Sequence, residues 1–188
     1  EECAKLPPGI ELDIAGAVHY HCDAHLYPNK LMKVFLKYLE DEGIKMCRNT
    51  RIDKIEHDAG KITMVKSGDK QFKGDAYVLA TGAWSPAVAK LTGLSIPLMP
   101  GKGYSFMMPQ DESKRMTIPS ILCEARVAVT PMNGSVRFGG TMEVGKINSQ
   151  VNMNRVRGIV ESVPKYFPDF KLEVPAEKDV WFGFRPVS

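Results

Sequence analysis

Several things are missing from this sequence, and each absence narrows its reading. No apolar run approaches the roughly 18 residues that a membrane-crossing helix needs. Lysine and arginine are scattered and the formal charge is only +3, so no footprint for nucleic acid stands out. There are four cysteines, Cys3, Cys22, Cys47 and Cys123, far apart and without a CxxC pair. They read as free thiols in a reducing compartment. Internal repeats and low-complexity tracts are absent. No signal peptide is visible at Glu1-Glu2-Cys3, and there is no initiator methionine. What remains is the composition of a globular protein, 44% apolar and 25% charged. The 188 residues suffice for one ordinary domain or two small ones.

The most informative stretch runs from Gly74 to Phe106. Ala76 to Ala80 form a short apolar run that predicts a buried strand. Thr81-Gly82 ends it, and a glycine there admits close approach because it has no Cβ. Ser85-Pro86 then starts a short helix over Ala87, Val88 and Leu91. A strand, a glycine turn and a helix start would point backbone N–H groups at an anionic or planar ligand.

Elsewhere the patterns are coarser. Ile14 to Tyr20 alternates like a short strand. Residues 28–42 carry Leu31, Phe35 and Leu39 at i, i+4 spacing, an apolar stripe expected to join the core, with Gly43 as the left-handed stop. Three strands are expected over 44–55, 62–66 and 71–80, with Ala59-Gly60 and Ser67-Gly68-Asp69 as turns. Longer antiparallel strands are expected at 103–108, 118–122, 126–130 and 135–140, with Asn133-Gly134 as a hairpin signal. A helix over 152–166 buries Val156, Ile159, Val160 and Val163, and Pro164 bends or ends it. A last strand covers 179–184.

Three groups of residues could carry chemistry. His19, His21, Asp23 and His25 have a metal-like pattern, but a strand end running into a polar loop is the favoured reading, and no metal is expected. Arg185 closes the aromatic strand Trp181-Phe182-Gly183-Phe184 just before a proline. That setting suits bidentate capture of a carboxylate; a structural salt bridge or a solvated strand end is the alternative. Tyr104 lies on an alternating strand with Phe106. Its phenol could hydrogen-bond a substrate carboxylate or line a pocket, or be a cross-strand aromatic.

ATGAWS (80–85) followed by PGKGYS (100–105) resembles the FAD-dependent D-amino-acid oxidase superfamily, most closely its D-amino-acid dehydrogenases and glycine-oxidase-like enzymes. LYPNKLMKVFLKYLEDEGIKMCRNTRIDKI (26–55), VRFGGTMEVG (136–145) and WFGFRP (181–186) fit in the same order. The resemblance implies an α+β fold. Residues 28–92 would be a partial, Rossmann-like FAD-binding segment. Residues 1–27 and 93–188 would form an antiparallel substrate domain with covering helices. It also implies that Arg185 holds the substrate α-carboxylate, with Tyr104 tuning substrate choice. Cofactor contacts would fall at Ile52, through backbone atoms beside the adenine, and at Thr81, Gly82 and Trp84 in the turn.

The chain departs from the family pattern in three places. A GxGxxG fingerprint, which carries the FAD pyrophosphate on a helix N-terminus, is absent. So is the PDG-type loop after GFRP. Arg126-Val127 stands where relatives often have a tyrosine. The expectation is therefore an excised middle portion of a longer enzyme, one that does not retain FAD by itself. The whole protein would pass a hydride from the α-carbon of a D-amino acid to FAD, leaving an imino acid. Quinone or oxygen would be the electron acceptor. Cytoplasmic placement is expected, with peripheral contact at the inner face of the membrane as a variant. Two other readings stay open: a non-catalytic substrate-binding or scaffold domain, and a flavoenzyme acting on a 2-hydroxy acid or a secondary amine.

Overall fold

A computed structural model describes residues 10–111 and 115–188. Cys3 and the Pro7-Pro8-Gly9 loop lie outside them. The fold is α+β, and the chain forms two compact units. One comprises residues up to Tyr27, Lys102–Glu143 and Ile147–Gly183; the other comprises Pro28–Gly101, Val144–Lys146 and Phe184–Ser188. Within the strand Met99–Pro109 the compact units part at 101/102.

In the second unit, helix α1 spans Pro28–Asp41. It ends as expected at Gly43, whose φ is 76°. Gly43 N–H donates to the Glu40 carbonyl and Ile44 N–H to the Leu39 carbonyl, the paired closure of a Schellman cap. The apolar stripe is not core, however. Phe35 is 52% exposed and no residue of α1 is buried. Leu36 and Leu39 are half-buried and the rest of the stripe is exposed.

Strands β1 (Lys54–Asp58), β2 (Lys61–Ser67) and β3 (Lys70–Phe72) form an antiparallel meander. Its first turn, Ala59-Gly60, has φ values of 45° and 78°, the left-handed pair that a tight hairpin requires. The expected strand at 44–55 is irregular until Lys54, and the strand expected to run to Ala80 stops at Phe72. Val78, placed by its sequence in a buried strand, is 89% exposed. A strand exists only through its ladder, and no described segment pairs with 76–80. A helical turn at Gly82–Trp84 leads into the short helix α2 (Ser85–Ala89).

The first unit is built on most of a five-stranded sheet: β4 (Met99–Pro109), β5 (Ser120–Leu122), β6 (Val127–Met132), β7 (Ser135–Val144) and β8 (Trp181–Val187). The order is β5-β6-β7-β4-β8. Asn133-Gly134 makes the predicted hairpin, with φ of 44° and 77°, so Val129 faces Phe138 and Thr130 faces Arg137. Alternation sends Val127, Val129, Val136, Phe138, Tyr104 and Phe106 into the core. Helix α3 (Met153–Ser162) covers that face with Val156, Ile159 and Val160, and Pro164 turns its end into a tighter 3₁₀ turn. Phe106 stacks on Phe138 at 5.6 Å between centroids. The alternating stretch at 14–20 forms no strand and is largely exposed. Strand β8 begins two residues later than expected and runs through Pro186 to Val187.

One electrostatic arrangement holds the small meander. Lys54 and Lys66 are direct cross-strand partners, a repulsive placement alone. Glu56 Oε1 lies 2.8 Å from Lys66 and 2.9 Å from Lys54. Hydrogen bonding first from Lys66 and then from Lys54 lowers its carboxyl from 4.5 to about 2. A lowered carboxyl stabilises fully above its unfolded value and loses that contribution as pH falls through the folded one. The stabilisation from Glu56 should therefore be complete above about pH 5 and vanish near pH 2. Carboxyl-detected NMR titration should give a midpoint near 2 that rises in Lys66→Met. A midpoint near 4.5 in the parent chain would remove the pairing.

Candidate functional site

The residues expected to act together fall in different units. Ile52, Thr81, Gly82, Trp84 and Arg185 belong to the second, and Tyr104 to the first.

Within the second unit, the turn after residue 80 takes a defined shape. Gly82 has φ 54°, and a Cβ built on it would meet nothing within 4 Å. The space against this backbone is thus open to a ligand rather than filled by the chain. Thr81 and Ser85 hydroxyls lie 3.1 Å apart, closing the turn, and Ala83 and Ser85 are buried beneath it. Trp84 is left half-exposed and meets Phe184 edge to face, 5.6 Å between centroids at 78°. Phe184 immediately precedes Arg185, so this contact ties the turn to the end of β8. Arg185 itself is exposed. Ile52 is partly buried in the irregular segment before β1.

Tyr104 is 2% exposed and sits on the core side of β4. Its hydroxyl donates to Glu143 Oε2 at 2.9 Å. The same oxygen accepts from Asn152 Nδ2 at 3.3 Å, and Arg155 Nε lies 3.7 Å away. Burial, and then the hydrogen bond to Glu143, raises the phenol above its ordinary value of 10. A phenol has one proton to donate, and here Glu143 receives it.

Lys102, which no motif singles out, is tightly held in the first unit. It is 2% exposed. Its ammonium donates to the Asn148 carbonyl at 3.0 Å, to Asn148 Oδ1 at 2.9 Å and to the Gln150 carbonyl. It also stands 4.4 Å from the Phe182 ring centroid. A buried ammonium needs such a shell of acceptors to offset lost hydration. Only the spacing Lys102-Gly103-Tyr104, which puts both side chains on one strand face, hinted at this. The histidine-rich segment holds no metal-like cluster among the described residues; His19 and His21 lie ring to ring at 4.2 Å and are exposed. Cys22, Cys47 and Cys123 are free and exposed.

Comparison with known proteins agrees on the fold and the family. The profile of a family described as FAD dependent oxidoreductase matches residues 1–188. A D-amino acid dehydrogenase of Granulibacter bethesdensis is 29% identical over 167 residues, covering 88% of this chain and 38% of that protein. One from Neisseria meningitidis serogroup C is 29% identical over 196 residues, covering all of this chain and 46% of the relative. The chain thus spans less than half the length of these curated relatives. Among solved structures, the L-proline dehydrogenase of P. horikoshii superposes with a TM-score of 0.72 at 20% identity, over 84% of this chain and 43% of that one. The glycine oxidase of Bacillus cereus gives 0.68 at 22% identity, over 84% and 42%. No described helix is long and apolar enough to cross a membrane.

The asymmetry of the Tyr104–Glu143 pair is measurable. Tyr104→Phe leaves Glu143 its contacts with Asn152 and Arg155, so about 0.5–1.5 kcal/mol should be lost. Glu143→Ala strands a buried hydroxyl and should cost more, about 1–3 kcal/mol. Equilibrium urea unfolding compares the two; a larger loss for Tyr104→Phe would show that ring packing, not the hydrogen bond, governs the site.

Proposed function

Since this chain belongs to the FAD-dependent oxidoreductase family, we propose that it supplies the substrate-facing sheet and part of the flavin-binding segment of an enzyme that oxidises the α-carbon–amine bond of a D-amino acid. The observation that carries this reading is the Trp84–Phe184 contact. It links the turn that would meet the cofactor to the strand end that carries Arg185, inside one compact unit. FAD, when bound, would accept the hydride from the α-carbon, and the amino acid would leave as an imino acid.

The roles of the chain's own residues follow from what each can offer. Arg185 has an exposed planar fork suited to two parallel hydrogen bonds with an α-carboxylate. Gly82 leaves open backbone, Thr81 closes the turn through Ser85, and Trp84 presents an aromatic face to a planar cofactor. Ile52 would touch the adenine through its backbone. Tyr104, whose proton is donated to Glu143, enters as an indirect support of the sheet rather than as a second donor to the carboxylate. The electron acceptor would be a quinone or oxygen. Exposed free thiols at Cys22, Cys47 and Cys123 support a reducing, cytoplasmic setting, peripheral membrane contact being compatible with it.

Two measurements check this. In the full-length, flavin-loaded enzyme, Arg185→Met should lower kcat/KM for a neutral D-amino acid by about one to two decades, the value of a charge-assisted anchor. Arg185→Lys should recover only part of it. The parent enzyme should discriminate strongly against the amino-acid amide; if Arg185→Met keeps that discrimination, Arg185 does not hold the carboxylate. At Gly82, the positive φ means that valine would strain the backbone whatever the ligand does. Asparagine tolerates that conformation, so Gly82→Asn should retain thermal stability yet bind flavin at least tenfold more weakly. Unchanged flavin affinity in the folded variant would place the turn away from the cofactor.

A further inference from the structure

The first unit carries a cleft where β4 ends beside the Asn133-Gly134 hairpin. Strand β4 stops at Pro109, and the next residue, Gln110, donates its N–H to the Gly134 carbonyl at 3.2 Å. That bond holds the end of β4 against the turn. The segment ending at Tyr27 closes another side. Tyr27 donates its phenol proton to Asn133 Oδ1 at 2.9 Å, and the His25 and Tyr27 ring centroids are 6.2 Å apart. These residues, with Arg115 and Met116, line a cleft of about 290 Å³, near the lower end of the range for small-molecule sites. All of them belong to the first unit.

The polar lining is biased towards donors. A side-chain amide offers an acceptor oxygen and an NH₂ donor, and in this cleft the chain has already engaged both oxygens. Gln110 Oε1 accepts from the Met116 backbone N–H at 2.9 Å, and Asn133 Oδ1 accepts from Tyr27. Among the described residues, neither Gln110 Nε2 nor Asn133 Nδ2 has a partner. The two amides therefore still offer hydrogens. The Arg115 guanidinium adds a positive charge and a fork of N–H groups. Among the described residues, no carboxylate lines the cleft. Its apolar surface comes from Met116, which is 1% exposed, and from the half-buried Met132.

We propose that this cleft binds a small organic carboxylate. The carboxylate oxygens take hydrogens from Gln110 Nε2, Asn133 Nδ2 and the Arg115 guanidinium, and a short aliphatic stem rests on Met116 and Met132. A lining of donors with a cation selects an anion, because charge-assisted hydrogen bonds are the strong ones. The two thioether side chains, soft and adaptable, favour an organic body over an inorganic ion. The site does not depend on the reading of Arg185, which belongs to the other unit.

Methionine-methyl NMR of this chain reads the cleft directly, with Met64 on β2 of the other unit as the internal reference. Valerate should shift the Met116 and Met132 signals saturably and leave Met64 in place. Half-saturation should come at a concentration about tenfold lower, or more, than with valeramide at matched ionic strength. Inorganic phosphate should shift the two signals less than valerate does. Gln110→Glu and Asn133→Asp keep the engaged acceptor oxygens, and aspartate tolerates the left-handed backbone of the turn, but each puts a carboxylate oxygen where a donor stood. Both should weaken valerate binding about tenfold or more, with the urea midpoint of unfolding close to the parent's. Arg115 is exposed, so Arg115→Met removes the charge without disturbing the core and should weaken binding likewise; it decides the matter if an amide variant does not fold. Equal responses to acid and amide, a stronger response to phosphate, or parent affinity for valerate in the folded variants would overturn the proposal.

Discussion

The two-sidedness of the five-stranded sheet is the constraint on which the first unit depends. One face is closed by α3, with Phe106 on Phe138 and a row of valines at full burial. Each such side chain contributes about 1.5–3 kcal/mol by leaving water, so this face admits no ligand without taking the core apart. A single-residue slip would exchange the faces entirely. The Asn133-Gly134 hairpin prevents it by fixing Val129 opposite Phe138. The opposite face carries Arg137 and the exposed Trp181.

Polar chemistry does enter the closed side, under strict terms. Lys102 is buried with three oxygen acceptors and an aromatic ring around its ammonium. Glu143 collects Tyr104, Asn152 and Arg155. These two charges fasten the segment after β7 and the start of α3 to β4. A half-satisfied version would be worse than an apolar one. Such clusters specify where a loop lies more than they add to net stability, and the loop from 147 to 152 is held in that way.

What could be read from the sequence was whatever depends on neighbours along the chain. The Schellman stop at Gly43, both left-handed hairpins and the apolar face of α3 are local, and all appear at the expected residues. The family, too, was legible in ordered short motifs. The misreadings concern features that need a distant partner. The run at 76–80 has the composition of a buried strand but no described ladder partner, and Val78 stands in solvent. The α1 stripe has the right period, yet none of its residues is fully buried. Tyr104 could be placed on an alternating strand, yet which face it shared depended on Glu143, 39 residues away. The pairing of Arg137 with Trp181 crosses an intervening strand, and no local pattern encodes it.

The two units also differ in how they are sustained. The first buries aromatic and branched side chains in one cluster. In the second, the buried side chains among the described residues are small: Ala83, Ser85 and Ala89. Its larger apolar groups, including Phe35, Val34 and Val78, remain in water. Local devices must therefore do more there: the cap at Gly43, the Lys54–Glu56–Lys66 arrangement and the edge contact of Trp84 on Phe184. Each is individually small. That balance makes the Trp84–Phe184 contact more consequential than its size suggests, since it is an aromatic anchor between the glycine turn and the strand that bears Arg185. Loss of either ring would loosen the turn and the arginine together, whereas loss of a valine beneath the larger sheet would act through stability.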